Sequence, residues 1–116
     1  MTRTVVTLTA AMVFVGVAAA AYSDDNAIPD LSDPQVISAG RNVYMKKHCS
    51  HCHGANGDGG INLTKRDLTD PTNVFQAIAE GRERGSMRMP AGRDVLSDEE
   101  IWQTTAYVMS IGLKSK

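Results

Sequence analysis

The chain holds only two cysteines, so no framework of several disulfides can brace it. It lacks an excess of charge of either sign, with a formal net charge of −1, and nothing in that balance suggests a nucleic-acid partner. Internal repeats are missing, as are low-complexity tracts beyond one alanine-rich stretch near the start, which excludes a solenoid or array. No strand pattern appears between Gly54 and Asp70, and none stands out elsewhere. Long hydrophobic runs are also scarce. Val5 to Val17 is almost unbroken apolar or small, yet it is shorter than the ~20 residues that a membrane-spanning helix needs. A length of 116 residues fits one domain with one core.

That apolar run follows Arg3 and leads into Ala18 to Ala21, the arrangement of an export signal with small residues at its cleavage point. Residues 1–21 are therefore expected to be cleaved before Tyr22. Their removal takes away one arginine and no acid, so the mature chain has a formal charge of −2. A domain this small buries a limited core and commonly needs a staple: a disulfide, a metal or a cofactor.

Residues 22–33 are acidic and aperiodic, and they read as an arm on the surface. Asp33 before Pro34 resembles a cap with proline in the first helical position. Val36, Ile37, Gly40, Val43 and Tyr44 then recur at helical spacing, predicting a first helix to about Lys47. Gly54 to Gly60 contains four glycines and reads as loop wrapped around something. Asn73 is placed to cap a short helix over residues 74–80 that Gly81 ends in a left-handed conformation. Ser97 and Glu100 form a capping box for a last helix over residues 98–111. Three helices joined by long irregular loops imply an internal ligand that orders those loops.

Cys49-Ser50-His51-Cys52-His53 matches Cys-x-x-Cys-His, the attachment pattern for c-type haem. Cysteines three apart on one helical turn face the same way, so both sulfurs can form thioethers along one edge of a porphyrin. His53, next to the second anchor, then reaches the iron. Three rival uses of the pair compete less well. A disulfide here would close too short a loop to stabilise much. A dithiol oxidoreductase needs strands flanking its redox turn, where this chain has a helix and glycine-rich loop. A zinc site would need a second ligand pair at finger or ribbon distance, and none is present.

The sixth iron position separates electron transfer from small-molecule binding. His48 and His51 sit in or beside the attachment turn, cannot readily cross to the other haem face, and read as solvated side chains. Methionine paired with histidine raises the reduction potential. Met45 and Met109 fall at helical positions near apolar stripes and read as packing. Met87 and Met89 lie in an aperiodic segment, and Pro90 fixes extended geometry beside Met89, which makes Met89 the first choice and Met87 the second.

With these features together, the sequence resembles the class I c-type cytochromes, especially single-haem modules related to those attached to terminal oxidases and quinoprotein dehydrogenases. The resemblance is carried by Ala39 to Tyr44 leading into Cys49 to Gly54, by Gly57-Asp58-Gly59-Gly60, by Met89-Pro90, and by Leu96 to Trp102 leading to Tyr107. It implies an all-α domain over residues 34–116, a small class I cytochrome c fold with three main helices and long loops enclosing one covalent haem c. It implies that Gly40 and Tyr44 pack crosswise on the last helix near Ala106 and Tyr107, and that Met89 is the distal ligand. One departure stands out: such proteins commonly place a proline some ten residues after the haem histidine, whose carbonyl accepts the ring N–H, and here Ile61 and Asn62 occupy that stretch, leaving the acceptor undetermined.

The expected function is a monomeric periplasmic electron carrier, not an enzyme, that does not insert stably into a membrane. It would run from a donor such as a dehydrogenase to a terminal oxidase or another cytochrome. The alternatives are a haem subunit held permanently in a dehydrogenase or oxidase complex, and a gas-binding haem sensor. Arg82, Arg84, Arg88 and Arg93, with Lys46, Lys47, Lys65 and Arg66, offer a basic rim that would steer the haem edge to acidic partners.

Overall fold

The computed structural model describes residue 11 and residues 28–114. Otherwise the expected leader, residues 1–21, lies outside the described residues, as do residues 22–27 of the arm. Four α-helices are present: α1 (Pro34–Lys46), α2 (Cys49–His53), α3 (Pro71–Glu80) and α4 (Asp98–Lys114). Short 3-10 turns at Leu63–Lys65 and Gly92–Asp94 punctuate the loops. Two three-residue strands, β1 (Arg82–Arg84) and β2 (Met87–Met89), form an antiparallel ribbon. The expected count of three helices and no strand is therefore corrected: the attachment motif is a helix of its own, and strands this short carry no readable alternation.

Each helix begins where a side chain can satisfy its free amides. At α1 the Asp33 carboxylate accepts from the Gln35 amide at 2.9 Å, and Pro34 occupies the first turn. The same Asp-Pro signal recurs at α3, where Asp70 accepts from the amides of Thr72 at 3.0 Å and Asn73 at 3.4 Å. The cap of α3 is thus Asp70 and not Asn73, and the helix starts one turn earlier than expected. At α4 the capping box closes in both directions: Glu100 accepts from the Ser97 amide at 3.1 Å, and the Ser97 hydroxyl accepts from the Glu100 amide at 3.2 Å.

Packing centres on α4, which lies against both α1 and α3. Gly40 meets the backbone of Gln103 so closely that a Cβ there would collide with the Gln103 carbonyl. One turn on, the rings of Tyr44 and Tyr107 meet edge to face with centroids 5.0 Å apart. On the other side Val74, Ile78 and Ala79 of α3 join Ile101, Val108 and Ile111 of α4 in the core, and Phe75 stacks on Trp102 at 4.2 Å. The buried hydroxyls of Thr104 and Thr105 bond back to the Glu100 and Ile101 carbonyls, both at 2.8 Å. Met109 packs on this core as expected. Met45, also expected to pack, is exposed, because it falls on the outer face of the last turn of α1. Among the described residues no helix is long and apolar enough to cross a membrane.

Gly40→Ala is expected to destabilise the holoprotein by about 1–3 kcal/mol, because backbone cannot yield as a flexible side chain would. Thermal unfolding followed by far-UV circular dichroism should show Tm lowered by roughly 5–15 °C.

Candidate functional site

The attachment segment turns away from α1 through Lys47 and His48. His48 has φ +66°, the one positive φ at a non-glycine among the described residues, and it separates the two helices. In α2, Cys49 and Cys52 stand at i and i+3, so their sulfurs share a face. Cys49 is half-buried, and burial pushes its thiol pKa up, whereas Cys52 is exposed. Gly54, at φ +78°, ends the helix immediately after His53.

The glycine loop then folds back on the motif. A Cβ on Gly59 would come within 2.6 Å of the Gly54 nitrogen, so this close approach needs glycine. The Gly59 amide donates to the His53 carbonyl at 2.8 Å and the Ile61 amide to the Cys52 carbonyl at 3.0 Å. The Ile61 carbonyl in turn lies 2.8 Å from His53 Nδ1. A carbonyl can only accept, so Nδ1 carries a proton, which in the neutral ring leaves the lone pair on Nε2, the tautomer that a metal requires. Ile61 therefore fills the role for which the sequence offered no proline. Two buried tyrosines hold the same loop. Tyr44 donates to the Gly54 carbonyl at 2.5 Å and Tyr107 to the Ala55 carbonyl at 3.0 Å. Burial, reinforced by Tyr107 nearby, keeps the Tyr44 phenol pKa far above its ordinary value, so it remains a donor.

Across the cavity stands the ribbon. Arg82 pairs with Met89, Glu83 with Arg88 and Arg84 with Met87, and Gly85 at φ +57° opens the Gly85-Ser86 turn. Residues two apart on a strand share a face, so Met87 and Met89 lie on the same side. They differ in depth: Met89 packs against the core cluster, whereas Met87 is 53% exposed. The start of the ribbon is fixed by Gly81, whose φ is +75° and whose Cβ would strike the Met89 carbonyl. Its ψ of −178° is extended, so Gly81 ends α3 with a positive φ and without the left-handed helical turn expected of it.

Between these walls is a cavity of about 460 Å³, well within the range of small-molecule sites. Cys49, Cys52 and His53 line it together with Met87, Met89 and Pro90, and Tyr44, Leu68, Val74, Ile78, Leu96 and Val108 supply much of its apolar surface. A largely apolar slot with a charged edge, two thiols, an imidazole oriented through Nδ1 and methionine thioethers in its lining fits a covalently held haem. A second hollow of about 290 Å³, at Asn56, Asp58, Thr64 and Lys114, contains no such donors. No three His, Cys, Asp or Glu residues are grouped to hold a metal ion among the described residues, so the zinc alternative lacks its further donors there.

The cationic rim is narrower than the sequence implied. Lys47, Arg66, Arg82, Arg84 and Arg88 line the cavity together with Asp67 and Glu83, while Lys46, Lys65 and Arg93 do not. Arg88 pairs with Glu83 at 3.4 Å in the open, an interaction worth little to stability. Arg93 is engaged elsewhere, with Asp98 at 3.1 Å and over the Phe75 ring. His48 and His51 are exposed, with ring centroids 4.6 Å apart, and His48 reaches the cavity edge.

Residues 35–108 match the model of the family described as cytochrome c oxidase, cbb3-type, subunit III. Among curated proteins the chain is similar to the cbb3-type cytochrome c oxidase subunit FixP of Sinorhizobium medicae, with 38% identity over 98 residues, 70% of this chain and 33% of that protein. The FixP of Rhizobium meliloti is 34% identical over 97 residues, with the same shares covered. The chain thus spans about a third of the length of these relatives. No solved structure matches it.

The two ribbon glycines provide a controlled comparison. Gly85→Ala is expected to cost about 1 kcal/mol, the penalty for positive φ alone, because nothing lies within 4 Å of the added Cβ. Gly81→Ala adds a collision with the Met89 backbone and should cost at least twice as much; chemical denaturation of the two holoproteins side by side checks the order.

Proposed function

The chain belongs to the family described as cytochrome c oxidase, cbb3-type, subunit III, and is a class I single-haem c-type cytochrome that binds haem c covalently; from that premise we propose that it relays single electrons to a cbb3-type terminal oxidase as a component held in that assembly. The observation that carries the reading is that His53, oriented through Nδ1 by the Ile61 carbonyl, lines one cavity with Cys49, Cys52 and Met89. In this proposal Cys49 and Cys52 would anchor the group through thioethers, and His53 and Met89 would donate to its iron. Bound there, haem c supplies a reversible one-electron change at iron.

The protein's own residues do the rest. Ile61 orients the His53 ring and strengthens it as a donor. Leu68, Val74, Ile78, Leu96 and Val108 give the cavity an aliphatic lining, and with the group bound His53 and Met89 would both donate to its iron, so the site would exchange electrons without acting as an enzyme. A gas sensor would need the iron to lack that second protein donor, which the packing of half-buried Met89 against the core disfavours.

Association with an oxidase is favoured by the relatives, both of which are oxidase subunits by name. The freely diffusing periplasmic shuttle expected from the sequence becomes the second reading, supported by the cationic residues at the cavity mouth, which suit transient docking to acidic partners. Export to the periplasm is part of the proposal in both cases. Size-exclusion chromatography of native extract separates them: co-elution with an oxidase supports the held component, and elution at the size of a single small domain removes it.

Met89→Ala should abolish the methionine-associated near-infrared band, lower the reduction potential and open the reduced iron to carbon monoxide, while Met87→Ala leaves all three unchanged. Rapid, complete carbon monoxide binding by the reduced native protein would overturn the electron-transfer reading. Electron-transfer rates to an acidic partner should fall at least about threefold from low to physiological salt, and Arg84→Gln should flatten that dependence.

A further inference from the structure

We propose that the hydroxyls of Tyr44 and Tyr107 act as a paired clamp on the loop behind His53, making them positioning residues that set how strongly the histidine donates to iron. This rests on the reading of His53 as the proximal ligand. The two side chains come from different helices, α1 and α4, yet their hydroxyls bond to consecutive carbonyls, Gly54 at 2.5 Å and Ala55 at 3.0 Å, the first two residues after His53.

The choice of partner is informative. A buried hydroxyl needs an acceptor, and Thr104 and Thr105 find theirs on their own helix one turn back. Both tyrosines, 1% and 6% exposed, instead reach out to the loop. That loop needs restraint. Gly54 and Gly57 have φ +78° and +76°, and residues 54–60 form no helix or strand. The same loop delivers the Ile61 carbonyl to His53 Nδ1 at 2.8 Å. With Gly54 and Ala55 pinned, the return of the chain to Ile61 is short and defined.

The electronic consequence has a definite sign. An acceptor on Nδ1 makes the imidazole a stronger donor, which favours the ferric iron and lowers the reduction potential. Releasing either tyrosine hydroxyl lets the loop drift, weakens the Ile61 contact and raises the potential.

Tyr44→Phe and Tyr107→Phe keep the edge-to-face ring contact and remove only the hydroxyls. In the holoprotein, spectroelectrochemistry should show a higher potential in each variant and a larger rise in the double variant, with the covalent haem spectrum intact. Proton NMR of the reduced form should show faster exchange of the His53 Nδ1 proton. Wild-type potential and wild-type exchange in both single variants, even with a lowered Tm, would reduce the tyrosines to ordinary packing and overturn the proposal. If Tyr44→Phe does not fold, Tyr107→Phe is judged by the same two readouts. A histidine-independent spectrum in His53→Ala would overturn the ligand reading and this proposal together, a result that unchanged tyrosine variants alone would not give.

Discussion

The crossing of α1 on α4 at Gly40 is the constraint from which the rest of the architecture follows. Because that position lacks a side chain, the two backbones touch, and the residues one turn further along are forced into contact. Tyr44 and Tyr107 then point past the crossing to the loop that follows the attachment helix. Dispersion and burial hold the helices together, but it is the directional bonds at the far end that make their packing matter to the site.

The two walls of the cavity are built on different principles. The wall bearing His53 is tied by a ladder of backbone bonds, from Gly59 to His53, from Ile61 to Cys52 and from Leu63 to Gly57, each between 2.7 and 3.0 Å. The wall bearing Met89 is a ribbon of two three-residue strands, held at its base by the close approach of Gly81. A short ribbon exposed along one side has few buried contacts to resist opening, so local fluctuation belongs on the methionine side. The histidine side has the lower backbone freedom, which suits the role proposed for His53.

Much of this was legible in the residues. Asp33-Pro34, Ser97 with Glu100 and the Cys49 to His53 motif each name a local geometry with a physical cause, and the structure places each as read. The start of α3 was legible too, since Asp70-Pro71 repeats the signal at α1, but Asn73 is an equally acceptable cap and hid it. Gly85-Ser86 is a recognised two-residue hairpin turn, yet strands of three residues give periodicity too little length to register. The acceptor for His53 could not be read from side chains, because it is the main-chain oxygen of Ile61 and any residue type supplies one. Met45 shows the limit of a helical stripe near a helix end, where the partner element has already diverged. Whether the domain works alone or in an assembly was beyond the motifs, since the chemistry at the iron is the same in both; the oxidase subunits among its relatives are what shift the balance.

A ribbon alternates its faces residue by residue, and here that gives ligand choice the character of a parity rule. Positions 87 and 89 carry sulfur, whereas position 88 between them carries an arginine engaged with Glu83. A slip of one residue that brings position 88 to the place of Met89 would present a cation there, and a slip of two in the same direction would bring Met87; in the other direction Pro90 and Ala91 would arrive. The spacing of the two methionines therefore makes the ribbon directional: an even slip keeps sulfur in place one way and loses it the other.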